Sequence, residues 1–207
     1  MVCILPVGSY EQHGPHLPPT VDTEVAQHVA RRLAGEIKAS VLPPIYYTCS
    51  REHSHFPNTI WVNCRSFLQY FEDVLRSAVE KCGVVIVVAG HGGVKEAVAL
   101  VASQLNYEVG PKALALNIWD FIKARDHAGT DETSIYLASG GALTGEMVEI
   151  CEGDVSLFGK MAIRTKTGVV GCLNPREVSL ERGRSLLEPA LGKMLEKIRD
   201  FLQLSPS

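Results

Sequence analysis

Val84-Val85-Ile86-Val87-Val88-Ala89-Gly90-His91-Gly92-Gly93 is the stretch on which the architecture turns. Its first six residues carry no polar side chain and five are β-branched, so the run reads as a strand. A strand without polar alternation has no face to give to water. It suits a parallel sheet covered on both sides better than a sheet with one wet face. Gly90 ends the run, and His91 follows where the chain would leave the carboxyl edge of such a sheet. Sites in open parallel sheets form at that edge.

The pattern repeats on either side. Val2–Val7 is a second apolar run, stopped by Gly8, and Ala113–Ile118 is another. Ser40–Tyr47 is weaker, because Pro43 and Pro44 predict an edge or a bend. Helical spacing lies between these runs. Thr23–Ile37 sets Val25, Val29, Leu33 and Ile37 on one face, and Ser66–Val79 does so with Phe67, Phe71, Val74, Leu75 and Ala78. Lys95–Leu105, Glu132–Ala138 and the amphipathic Leu180–Leu202 complete the set. Alternating strand and helix predicts an α/β fold, a three-layer α/β/α arrangement with a mostly parallel central sheet, in one domain over 1–207. Gln203–Ser207 is expected to fray.

Composition narrows the function classes. Of 207 residues, 46% are hydrophobic and 21% charged, which suffices for a core without covalent staples. A net charge of −3 without a basic stripe points away from nucleic acid. No apolar run approaches membrane-spanning length, and Val2–Val7 is too short for a secretory leader, so a cytoplasmic location is expected. Cys3, Cys49, Cys64, Cys82, Cys151 and Cys172 form no C-x-x-C pair. They read as small, reduced, buried hydrophobes rather than as a zinc knuckle or a disulfide framework.

Three polar clusters fall at predicted strand ends. Gly8-Ser9-Tyr10-Glu11-Gln12-His13-Gly14 follows the first strand. In extended backbone Glu11 and His13 point the same way, and Asp22 follows at the next helix. Gly90-His91-Gly92-Gly93 follows the strongest strand, and Asp126-His127-Ala128-Gly129-Thr130-Asp131-Glu132 leads into a helix. Together they offer imidazoles and carboxylates, a donor set that favours zinc, manganese, iron or cobalt over magnesium or calcium. Each cluster alone has a plainer reading. Glu11 and His13 would be a solvated pair, the glycine-flanked His91 a tight turn or phosphate nest, and Asp131–Glu132 acidic residues at a helix N-terminus. The phosphate nest lacks the lysine and hydroxyl of a P-loop. A non-catalytic phosphate- or nucleotide-binding α/β protein stays open on these residues alone.

The order of the motifs adds a further reading. Leu5-Pro6-Val7-Gly8-Ser9-Tyr10-Glu11-Gln12-His13-Gly14-Pro15-His16-Leu17-Pro18 with Asp22 and Thr23 resembles the signature of the creatininase family of amidohydrolases. Glu52-His53-Ser54-His55-Phe56-Pro57-Asn58-Thr59, Gly90-His91-Gly92-Gly93 with Val94 in place of an asparagine, Trp119-Asp120, and His127-Ala128-Gly129 with Glu132-Thr133-Ser134 follow in that family's order. The stretch from Gly168 to Gly183 resembles its later glycine-rich segment. The resemblance implies two divalent metal ions, zinc foremost, with manganese or iron as alternatives. Glu11 and His91 would hold one, His13 and Glu132 the other, and Asp22 would bridge them. It implies His127 as proton shuttle, Glu132 in a catalytic as well as a ligand role, and His53, Trp119 and Asp126 towards substrate. A small-molecule amide substrate and a homo-oligomer, a hexamer, are implied as well.

The chain also departs from its relatives. In the creatinine-hydrolysing branch a glutamate stands at the position of Gly93, and a longer segment before the catalytic histidine brings a second tryptophan to substrate. Here only Phe121–Asp126 separates Asp120 from His127. The expectation is a metal-dependent hydrolase of a non-peptide C–N amide bond other than creatinine's, a formamidopyrimidine-ribotide deformylase being the favoured case. Arg51, Lys123 and Arg125 would meet an anionic group. Creatinine hydrolysis and trimming of a cofactor-precursor peptide are the alternatives.

Overall fold

The structure is a computed structural model that describes residues 1–124, 126–156 and 162–205. Strands β1 (Val2–Val7), β2 (Ser40–Val41), β3 (Val84–Ala89) and β4 (Ala113–Asn117) form a parallel sheet in the order β2-β1-β3-β4. β3 is central and buried throughout, as an all-apolar run must be. Its side chains alternate between two cores. Val84, Ile86 and Val88 enter one, and Val85, Val87 and Ala89 the other. Each fully buried Val or Ile contributes about 1.5–3 kcal/mol, and a one-residue slip would move every one of them to the wrong core.

Helices close both faces. α1 (Val21–Ile37), α4 (Thr130–Ala138) and α5 (Leu180–Leu204) cover the first core; α2 (Cys64–Cys82) and α3 (Lys95–Val109) cover the second. This is the three-layer α/β/α arrangement. Gly90 lets α1 approach β3: a Cβ there would lie 2.2 Å from the Asp22 carbonyl oxygen. The first turn of α1 is thereby pressed against the carboxyl ends of β1 and β3, which is what places Asp22.

Some expectations need correction. β2 is only two residues long, because Pro43 and Pro44 lack the N–H groups that would continue the ladder; the chain rejoins β1 through a single bridge from Ile45 to Val7. α4 begins at Thr130, ahead of Glu132, because the Asp126 carboxylate accepts from the N–H groups of Asp131 and Glu132. α5 runs on to Leu204, so Gln203 and Leu204 are helical rather than frayed, and Pro206 and Ser207 lie outside the described residues. The reduced-thiol reading also fails. The six cysteines are joined as Cys3–Cys82, Cys49–Cys64 and Cys151–Cys172. The first ties β1 to the end of α2, and the third crosses a small antiparallel pair, β5 (Ile150–Glu152) with β6 (Gly171–Leu173). Sequence separations of 79, 15 and 21 residues conceal these proximities. Among the described residues no helix is long and apolar enough to cross a membrane.

Candidate metal and active site

The three clusters converge at the carboxyl edge of the sheet. Glu11 and His13 follow β1, Asp22 sits in the first turn of α1, His91 follows β3, and His127 and Glu132 flank the start of α4. All six are buried. His91 Nδ1 lies 3.0 Å from Asp22 Oδ2 and 3.3 Å from Glu11 Oε1. His13 Nε2 lies 3.3 Å from Asp22 Oδ1 and 3.8 Å from Glu132 Oε2. Asp22 therefore turns one oxygen to each half of the site, and Ser9 Oγ donates to its Oδ2 at 3.0 Å.

Ring nitrogens are assigned by their partners. His13 Nδ1 donates to the Glu11 carbonyl at 3.0 Å, so in the neutral ring Nε2 is the nitrogen whose lone pair faces Asp22 and Glu132. His127 Nε2 donates to the Gln12 carbonyl at 2.9 Å, which makes Nδ1, 3.6 Å from Glu132 Oε2, its position for an exchangeable proton. The Gln12 amide then donates to the Gly168 carbonyl and to His53 Nδ1, each at 3.0 Å, while its Oε1 accepts from Gly14 N–H. That leaves the His53 proton on Nε2, 3.2 Å from Glu11 Oε1.

Electrostatics follow from burying carboxylates and imidazoles together. Burial pulls His13 down, but Glu132 and Asp22 outweigh it and raise it to about 10. Burial lifts Glu11 to about 7 against the pull of His91, and lifts Glu132 to about 8 against that of His13. Asp22 stays well below the carboxylate range: burial works against it, but His13 and His91 prevail. Burial, with the neighbouring His13, holds His127 well below the usual histidine range.

A cleft of about 470 Å³ opens onto these groups, with Asp22, His91 and Glu132 at its floor and Glu52, Trp119 and Asp126 among its walls. Trp119 and Asp126, read from the sequence as substrate-facing, both line this cleft. Trp119 Nε1 is anchored on the Gly90 carbonyl, and Asp126 also caps α4. His53 is fully buried behind Glu11 and is not among the cleft-lining residues. Arg51 lies over the Trp61 ring at 5.6 Å, Lys123 does not line the cleft, and Arg125 lies outside the described residues. Glu52 was not a sequence candidate for the site, yet its Oε1 lies 3.4 Å from His91 Nε2. Only its place beside His53 in the second motif hinted at this. Gln12 was likewise passed over, although it sits between the two ligand candidates.

Two divalent cations fit this chemistry. Glu11 Oε2, His13 Nε2 and His53 Nε2, with His16 Nδ1 and Ser50 Oγ, are buried without a hydrogen-bond partner among the described residues, and such orphans are costly unless a ligand satisfies them. Ligand atoms of Glu11, Asp22 and His91 lie within 4.8 Å of one another, as do those of His13, His127 and Glu132, and those of Glu11, His53 and His127. The last set is disfavoured, because a proton on His53 Nε2 occupies the lone pair that a ligand needs.

Fold and site define the class: an α/β protein with buried imidazoles and carboxylates gathered at one edge of its sheet. The family model described as creatinine amidohydrolase matches residues 1–198, and the chain belongs to the creatininase family. It is 34% identical over 181 residues to a mycofactocin precursor peptide peptidase of Mycolicibacterium smegmatis, covering 83% of this chain and 70% of that protein. It is 26% identical over 212 residues to a 2-amino-5-formylamino-6-ribosylaminopyrimidin-4(3H)-one 5'-monophosphate deformylase of Methanothermus fervidus, covering 95% of this chain and 79% of the relative. A manganese creatininase superposes with a TM-score of 0.74 at 24% identity, covering 99% of this chain and 91% of the other, which shows a shared fold. A zinc form of a mutant creatininase is among the same structural neighbours.

Proposed function

We propose that the protein is a metal-dependent amidohydrolase in which Glu11 and His91 hold one divalent ion, His13 and Glu132 the other, and Asp22 both. The observation that carries this is that two of the orphaned buried atoms, Glu11 Oε2 and His13 Nε2, belong to ligand candidates on either side of Asp22. When bound, such ions supply Lewis-acid polarisation of an amide carbonyl and a nucleophile from water at neutral pH. The protein's own part is to orient and to move protons. Asp22 fixes the two halves of the site relative to each other, and Ser9 fixes Asp22. Held neutral, His127 accepts a proton at Nδ1 and returns it to the leaving nitrogen, while its Nε2–H stays on the Gln12 carbonyl.

The substrate reading shifts towards peptide-type amides. Among the described cleft-lining residues Trp119 is the one aromatic, so a small planar ring would lack a second wall. Glu52, Glu96, Asp120 and Asp126 face the same space, and Lys95 is engaged with Asp120 at 2.5 Å, which disfavours a phosphorylated substrate. The likeness to a peptidase of a cofactor-precursor peptide agrees with that reading. The test is turnover of metal-loaded protein on a short peptide amide, on creatinine and on a formamidopyrimidine ribotide, with His127→Ala as control. The peptide amide is expected to be cleaved fastest. His127→Ala should keep its metal and lose about 10²–10⁴-fold in turnover. Loss of metal from that variant would make His127 a ligand and overturn the assignment.

A further inference from the structure

We infer that Glu52 is a positioning residue for the metal site, holding the His91 ring so that Nδ1 faces Glu11 and Asp22, and that Gly93 is the residue that makes room for it. The inference rests on the two-ion reading above. His91 can ligate from the Glu11–Asp22 side only through Nδ1, which lies 3.3 Å and 3.0 Å from their oxygens. Its proton must then sit on Nε2 and needs an acceptor in a buried place. Two acceptors reach it from a single loop: the Cys49 carbonyl at 3.2 Å and Glu52 Oε1 at 3.4 Å. The carbonyl supplies a dipole, whereas Glu52 supplies a charge, which strengthens the Nε2–H interaction and raises the basicity of Nδ1.

The glycines after His91 separate steric need from mere flexibility. A Cβ on Gly92 would meet nothing within 4 Å. A Cβ on Gly93 would lie 2.4 Å from Glu52 Oε1 and 2.5 Å from His91 Nε2. The Glu52–His91 pair thus fills the volume that any side chain at position 93 would take. Glu52 has no competing attachment in the described structure: His91 is its one ion-pair partner there, and the adjacent Arg51 is turned onto Trp61. A loop carboxylate present only for solubility would have no reason to be half-buried against the His91 ring. The charge count agrees as well. Glu11, Asp22, Glu132 and Glu52 together balance two divalent ions.

The experiment is a zinc titration of metal-free wild type, Glu52→Gln and Glu52→Ala against a competing chelator, read as two dissociation constants, with the melting of each metal-free protein as a fold control. Wild type is expected to bind two ions. Glu52→Ala should weaken one of them about 10–100-fold and leave the other and the metal-free melting unchanged. Glu52→Gln should fall between the two, since its amide oxygen still accepts from Nε2–H but carries no charge. Both variants binding two ions with wild-type constants would overturn the inference while leaving the two-ion reading intact. Equal weakening of both ions with a lowered metal-free melting point would also overturn it, because that marks a fold defect. A wild type that binds no zinc would remove the proposed function and this inference together. Should Glu52→Ala fail to fold, Glu52→Gln decides alone, with a wild-type constant counting against the inference.

Discussion

Asp22 carries more of the site than any other residue, because its two oxygens face opposite halves: Oδ2 towards His91 and Oδ1 towards His13. Removing it should therefore cost both ions, whereas Glu11→Ala or His91→Ala should cost mainly one. Metal content per chain, measured after dialysis, checks this; loss of a single ion from all three variants would mean that Asp22 is no bridge. Protons compete for the same atoms. Without metal His13 stays protonated up to about 10, Glu132 up to about 8 and Glu11 up to about 7. A bound ion needs each of them deprotonated, so affinity should fall as pH drops from about 9 to 6, and binding near neutrality should release protons. Calorimetric titration in two buffers of different ionisation enthalpy reads that release directly. Binding without it would place the ions elsewhere. At this scale the ligand candidates were legible, because Glu11, His13, Asp22, His91 and Glu132 stand at predicted strand ends in a recognisable order. Tautomers were not. The proton on His53 Nε2 depends on Gln12, whose partners at His53 and Gly168 lie 41 and 156 residues away.

At the level of elements, the apolar runs made the sheet readable, since short runs rich in β-branched residues and stopped by glycine suit doubly buried strands, as β1 and β3 are. Helix bodies were equally plain from their spacing, but their first turns were not. α4 shows why. Its start is set by Asp126, a residue outside the helix and read from sequence as substrate-facing, which accepts from Asp131 N–H at 2.9 Å and Glu132 N–H at 3.2 Å. Burial raises this carboxyl to about 6. Asp126→Ala should cost about 0.5–2 kcal/mol, as the loss of a helix cap does. It should also loosen Glu132 and weaken the ion shared with His13. Urea unfolding of the metal-free protein together with zinc titration tests both effects. Unchanged stability and unchanged metal affinity would leave Asp126 a cleft wall only. The short β2 has a comparable origin: Pro43 and Pro44 were visible, but the single bridge from Ile45 that replaces the ladder depends on where β1 ends.

Across the whole molecule, a four-stranded sheet brings together groups that are far apart in the chain and buries them at the floor of one cleft. The disulfides were the part least visible beforehand, because each joins elements whose adjacency exists only once the sheet and helices have packed. The central claim is narrower: Glu11, His13, Asp22, His91 and Glu132 form one two-ion site. Anomalous diffraction from crystals grown with manganese tests it most directly. The account predicts two peaks about 3.5–4 Å apart, flanking Asp22, one towards Glu11 and His91 and the other towards His13 and Glu132. A lone peak among Glu11, His53 and His127, or no peak at the carboxyl edge of the sheet, would contradict it.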